Sequence, residues 1–249
     1  IRLSLVGSEM CIRDSYAAGI VAVLVLPLIL QSFGNAWVRI ADTALLYVIL
    51  ALGLNIVVGY AGLLDLGFVA FYAAGAYLFA LMASPHLAQT FAGFAALFPN
   101  GLHTSLWVVI PLAMALAGFL GVLLGAPTLK LRGDYLAIVT LGFGEIVRIF
   151  LNNLDHPYNI TNGPKGLNQI DSIHILGLNL GRPFDLFGYT IPSVTLYYYL
   201  FLFFVVLTIV ICYRLQTSRV GRAWMAIRED EIAAKAMGIN TRNMKLLAF

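Results

Sequence analysis

Residues Ser193–Tyr213, SVTLYYYLFLFFVVLTIVICY, run for 21 positions without a charge, and RLQTSRVGRAWMAIREDEIAAKAMGINTRNMK, residues 214–245, follows with seven basic side chains. A helix needs about 20 apolar residues to cross the hydrocarbon core. The first stretch therefore reads as a membrane span. The second reads as a loop held in the cytoplasm, where Lys and Arg concentrate. Composition extends this to the whole chain, which is 61% hydrophobic and 11% charged over 249 residues, with mean hydropathy +0.89. A soluble domain carries about a quarter charged residues. A water-soluble globule of this size could not hide so much apolar surface. The expected fold is all-α, a polytopic transmembrane helical bundle.

Working back toward the N-terminus, five more apolar segments stand out: Tyr16–Phe33, Ile40–Val58, Leu63–Ala83, Ser105–Ala126 (closed by Pro127) and Tyr135–Leu151. About six complete spans are expected, with the start of another at Lys245–Phe249. The fifth is near the lower length limit for crossing, so a re-entrant path stays open for it. Between the third and fourth, Ser84-Pro-His and Pro99-Asn-Gly punctuate a loop. The apolar residues 87–98 between them are too short to cross and are expected at the interface. Charge placement fixes orientation. The loops at 84–104 (no Lys or Arg) and 152–192 (only Lys165 and Arg182) fall outside. The loop with Lys130 and Arg132, the segment 214–245 and the N-terminus fall inside. Residues 1–15 are polar, unlike the apolar segments that make up most of the chain, and are expected to be non-native or disordered. The chain begins at Ile1 rather than Met, and it reads as a fragment whose transmembrane body is 16–249. A net charge of +3 leaves no basic field for nucleic acid. Cys11 and Cys212 have no metal-ligand or disulfide-framework spacing.

Three places carry chemistry. From Gly221 to Met237 the composition favours a helix, and Gly238 suits a left-handed stop with Ile239 as its apolar partner. Glu231, Ala234 and Gly238 share a face at i, i+3 and i+7, where small residues admit another protein's surface and the glutamate offers a partner for a basic group. The solvated amphipathic helix is the plainer alternative. The third span opens with Gly59, Gly62, Asp65 and Gly67, a density of glycine that suits either close helix packing or an unwound turn facing a cavity. Asp65 then belongs either to the cytoplasmic interface or to a binding site. In the fifth span Glu145 and Arg148 lie one helical turn apart and can pair. They form either a structural ion pair near the outer boundary or, with Thr140, Gly142 and Gly144 beside them, part of a pathway or gate. The sequence Thr161-Asn-Gly-Pro-Lys-Gly166 signals a tight turn. The four histidines lack ligand spacing.

Four stretches make the chain recognisable: GLNIVVGYAGLLDLGFVAFYAAGAY (53–77), LKLRGDYLAIVTLGFGEIVRIFLNN (129–153), TNGPKGL (161–167) and GRAWMAIREDEIAAKAMGIN (221–240). In this order, from about Val38 to Phe249, they resemble branched-chain amino acid ABC permeases of the LivM type. EIAAKAMGI resembles the EAA loop of ABC importers, with an extra Ile232 between Glu231 and Ala233. The resemblance implies a bacterial inner-membrane permease subunit that moves leucine, isoleucine or valine. It implies a second homologous permease subunit, two cytoplasmic ATPase subunits and an extracytoplasmic substrate-binding protein as partners. Glu231, Ala233, Ala234 and Gly238 would form the helix that docks on an ATPase. Gly62, Asp65, Gly67, Thr140, Gly142, Gly144, Glu145 and Arg148 are the candidates for the translocation pathway. No G-x-x-x-x-G-K-[ST] stretch exists, so ATP and Mg belong to the partner subunits and no cofactor is expected on this chain. The other readings are an importer of urea or short amides, an ion-coupled secondary transporter and a membrane enzyme. The secondary transporter would depend on Glu145, which Arg148 neutralises. The enzyme lacks a reactive cluster.

Overall fold

A computed structural model of the chain describes residues 2–99, 101–128, 134–156, 158–175, 178–186 and 189–249, with side chains from Ala18 onward except at 92, 134, 178, 186 and 189. Lys130 and Arg132 therefore lie outside the described residues, as do the side chains of residues 1–15. Helices dominate: α1 (Arg2–Phe33), α2 (Asn35–Asn55) running into a π-helical turn (Ile56–Tyr60), α3 (Val69–Met82), and the short α4 (His86–Thr90) and α5 (Ala92–Leu97). There follow α6 (Leu106–Thr128), α7 (Asp134–Asn152), α8 (Ser193–Thr217), α9 (Arg219–Glu229), α10 (Glu231–Ala236) and α11 (Thr241–Ala248). Among the described residues, four helical stretches are long and apolar enough to cross a membrane: Asn35–Tyr60, Leu106–Thr128, Tyr135–Asn152 and Ser193–Thr217. Ala18–Phe33 and Val69–Met82 are apolar but shorter.

Two of the expected spans change in detail. The third does not begin at Leu63. Residues 61–68 are irregular, and the helix starts at Val69. Gly62 at φ +68° turns the chain out of helical geometry, and the Leu63 N–H still reaches back to the Val57 carbonyl of the π-helical turn at 3.1 Å. Pro127 does not close the fourth span either. It sits inside the last turn of α6, which ends at Thr128 with the Thr128 hydroxyl bonded back to the Leu124 carbonyl at 2.8 Å. The segment 152–192 is more ordered than a polar loop. It holds a 3₁₀ turn (Gly163–Lys165) and two antiparallel hairpins, β1 (His174–Ile175) with β2 (Leu178–Asn179) and β3 (Phe184–Leu186) with β4 (Tyr189–Ile191).

The chain divides into two compact units. The smaller comprises Ile1–Ile49 and Leu180–Leu207. In it Gly34, at φ +118°, makes the sharp corner between α1 and α2. Pro27 lies inside α1 and has no N–H to give to the Val23 carbonyl four residues back. The Tyr198 hydroxyl supplies that hydrogen at 3.0 Å, and the Tyr199 hydroxyl donates to the neighbouring Leu24 carbonyl at 3.0 Å. Tyr198, Thr195 and Val38 are fully buried there. In a span this matters, because lipid offers no water to an orphaned carbonyl.

The larger unit comprises Leu50–Asn179 and Thr208–Phe249. α3 packs along α6 and touches α7, and α11 rests on α6 and α9. Its core gathers Val57, Ala61, Leu63, Leu136, Trp224 and Ala248. On the loop side, Asp171 N–H donates to the Ala83 carbonyl at 2.8 Å, and the His103 ring pairs with the Asp171 carboxylate. The 161–166 turn packs on the end of α7, where the Thr161 hydroxyl donates to the Leu151 carbonyl at 2.7 Å.

Candidate functional site

The irregular stretch 61–68 is held by α7. Asp65, 2% exposed, accepts a hydrogen bond from the Gly67 N–H at 2.8 Å, closing a side-chain turn over its own backbone. The Leu66 N–H donates to the Thr140 hydroxyl at 3.0 Å, and that hydroxyl donates onward to Ala137. Gly67 is where the backbones meet, since a Cβ there would run into the Thr140 carbonyl oxygen. A Cβ on Gly144 would lie 3.5 Å from the Gly67 Cα. Leu136, Thr140 and Gly144 are spaced four apart, so one stripe of α7 grips the turn. Asp65, Gly67, Thr140 and Gly144 are thus brought together, and the glycines there have a packing reason.

The other sequence candidates fall on either side of that seam. On one side lies an almost wholly apolar cavity of about 270 Å³, lined among others by Asp65, Phe71, Thr140, Gly142 and Phe249. Gly142 has open space around it and no packing constraint. On the other side a more polar cavity of about 350 Å³ is lined by Leu66, Val69, Tyr77, Glu145, Arg148 and Asn152 among others. At 100° per residue, positions 139, 142, 143 and 146 and positions 141, 144, 145 and 148 lie on opposite sides of α7. Glu145 and Arg148 do pair: Nε and Nη2 of the arginine lie 2.9 and 2.8 Å from the same carboxylate oxygen, Oε2. Gly62 belongs to neither cavity. It faces Arg228 of α9, whose Cγ would sit 2.7 Å from a Cβ at that position.

The segment after α8 departs from the single helix expected over Gly221–Met237. It breaks at Asp230, whose extended backbone ends α9 and whose carboxylate accepts from the Ile232 and Ala233 N–H groups at 2.8 and 3.1 Å. That side chain satisfies the free donors of a new helix, so capping wins over continuation. Gly238 sits at φ +86°, with its N–H on the Lys235 carbonyl and the Ile239 N–H on the Ala234 carbonyl. This is the double bond of a Schellman stop. The expected shared face is rearranged. Ala234 is buried, and Glu231 Oε2 is 2.7 Å from Lys245 Nζ of α11, while Ala233 is exposed. Ile232 and Met237, 82% and 84% exposed, are what α10 presents outward. Two apolar residues among Ala and Lys were the signal for them in the sequence.

Sequence reasoning also missed what anchors this segment. Trp224, 2% exposed, donates its indole N–H to the Met244 carbonyl at 2.7 Å, tying α9 to α11. Arg228 donates to the Gly59 carbonyl at the π-helical turn. Phe249 meets Phe71 of α3 edge-on, with ring centroids 6.1 Å apart.

A family model described as branched-chain amino acid transport system / permease component matches residues 36–249. The high-affinity branched-chain amino acid transport system permease protein LivM of Escherichia coli (strain K12) is 44% identical over 225 residues, covering 85% of this chain. LivM of Salmonella typhimurium strain LT2 is likewise 44% identical over 225 residues and 85% of the chain. The chain spans about half the length of these curated relatives, 48% of each. No solved structure matches it.

Proposed function

The chain belongs to the family of branched-chain amino acid transport permease components, and from that membership we propose that it is a permease subunit of an ATP-driven importer of leucine, isoleucine or valine in a bacterial inner membrane. It contributes six spans, the four long helices together with α1 and α3, and its N-terminus is cytoplasmic. A second, homologous permease subunit lies beside it in the bilayer. Two cytoplasmic ATPase subunits consume ATP and Mg, and an extracytoplasmic binding protein delivers the solute. The pathway runs along α3 and α7, past the Asp65–Gly67 turn and the two cavities beside it.

One observation carries this reading. A compact cytoplasmic group, α9 to α11, is locked to the membrane-embedded part through Arg228 on the Gly59 carbonyl and Trp224 in the core. A push on α10 from an ATPase would therefore be transmitted to the π-helical turn and the 61–68 stretch that follows it. Catalysis of ATP hydrolysis by this chain has no support in its sequence.

The test is reconstitution with the ATPase subunits and binding protein in proteoliposomes. Labelled leucine should enter only with ATP inside the reach of the ATPases. Uptake of urea but not leucine, or leucine uptake driven by a proton or sodium gradient without ATP, would overturn the assignment.

A further inference from the structure

The cavity of about 350 Å³ beside α7 has the size of a small-ligand site at the lower end of the usual range. Glu145 and Arg148 reach into it from a helix that is long and apolar enough to cross the bilayer. Glu145 lies ten residues beyond the start of that stretch, about 15 Å along the axis, which is close to mid-membrane. Charges at such depth face a cavity or a protein partner and not lipid. Their side chains are accessible in this chain, 54% for Glu145 and 67% for Arg148.

The geometry of the pair is lopsided. Arg148 directs both Nε and Nη2 at one glutamate oxygen, Oε2. Among the described residues, Glu145 Oε1 and Arg148 Nη1 have no partner. An unshared carboxylate oxygen and, on the far side of the guanidinium, an unshared N–H group thus stand uncommitted at the two ends of one ion pair of net charge zero. Leu66 and Val69 give the same cavity an apolar wall.

We infer that Glu145 and Arg148 form a clamp for a zwitterion, binding the α-ammonium group of an amino acid at Oε1 and its α-carboxylate at Nη1, with the apolar side chain against Leu66 and Val69. This rests on the importer reading and deepens it. The pair need not break to admit the ligand, so no buried charge is left alone at any stage. A solute with a carboxylate alone, or an amine alone, satisfies one pole and leaves the site charged. An uncharged amide gains neither of the stronger charge-assisted bonds. The clamp therefore selects for a zwitterion. The wall selects for a small apolar side chain.

The test uses the assembled importer in proteoliposomes, with Cys11 and Cys212 replaced by serine and alanine and Val69→Cys as a maleimide target. Leucine at millimolar concentration should slow labelling of position 69. Isovalerate, isoamylamine and isovaleramide at the same concentration should not. Glu145→Gln and Arg148→Gln should each raise the leucine concentration needed for half-protection about tenfold or more, the loss expected for one charged hydrogen bond. The exchanged pair, Glu145→Arg with Arg148→Glu, keeps an ion pair and reverses its poles relative to the wall. Wild-type protection in that double variant would reduce the pair to a structural tie and overturn the clamp. Protection by the amide or by either singly charged analogue would overturn it as well. Labelling is read without ATP, so the two readings fail separately. ATP-driven leucine uptake with no protection sinks the clamp alone, and protection without ATP-driven uptake sinks the importer.

Discussion

At single positions the membrane sets the terms. Tyr198 completes a carbonyl that Pro27 leaves bare, so Tyr198→Phe should lower stability by about 1 kcal/mol. A drop in the unfolding temperature of the solubilised protein measures this, and an unchanged value would mean the bond is worth nothing. Gly67 and Gly142 make a sharper comparison. A Cβ on Gly67 meets the backbone of Thr140, which cannot move like a flexible side chain, while Gly142 has nothing near it. Gly67→Ala should cost about 1–3 kcal/mol and depress uptake, whereas Gly142→Ala should leave the unfolding temperature near wild type. The sequence marks both glycines but cannot rank them, because the partner of Gly67 lies more than seventy residues further along the chain. The Glu145–Arg148 pair was legible for the opposite reason, since its spacing is local to one helix.

Among elements, α10 is short and presents exposed apolar side chains. It is six residues long and depends on its caps. Asp230→Ala removes the acceptor for two N–H groups and should cost about 1 kcal/mol of local stability, read as faster hydrogen exchange across residues 232–236. Ile232→Asp or Met237→Asp changes only outward side chains. Each should abolish co-purification of the ATPase while the unfolding temperature holds, and retained co-purification would remove α10 from the docking surface. Helix length and hydropathy made the spans readable. The break at Asp230 was not, since composition favours a helix on both sides of it. The inward turn of Ala234 and the Glu231–Lys245 bridge depend on α11, a tertiary neighbour that periodicity does not reveal. The same applies to residues 61–68, where apolar composition suggested a span and side-chain turns replaced the helix.

For the molecule as a whole, the topology is the statement most open to direct measurement. With the native cysteines replaced, Ile232→Cys and Met237→Cys should react with an impermeant maleimide from the cytoplasmic side only. Tyr158→Cys, in the segment between α7 and α8 and 67% exposed, should react from the opposite side only. Modification of position 232 from outside would place the α9–α11 group where no internal ATPase could reach it. The helical plan was legible because long apolar runs are written along the chain. The assembly of its interior was not, because it is built from contacts between distant segments. The proline in α1 and the tyrosine pair on α8 leave a mark that variation among kindred sequences can reveal. Wherever the proline gives way to a residue bearing an N–H, the carbonyl recovers its own donor, and phenylalanine becomes as serviceable as tyrosine at position 198. The two sites should therefore covary: a lineage that loses the ring nitrogen's constraint is released from keeping the hydroxyl.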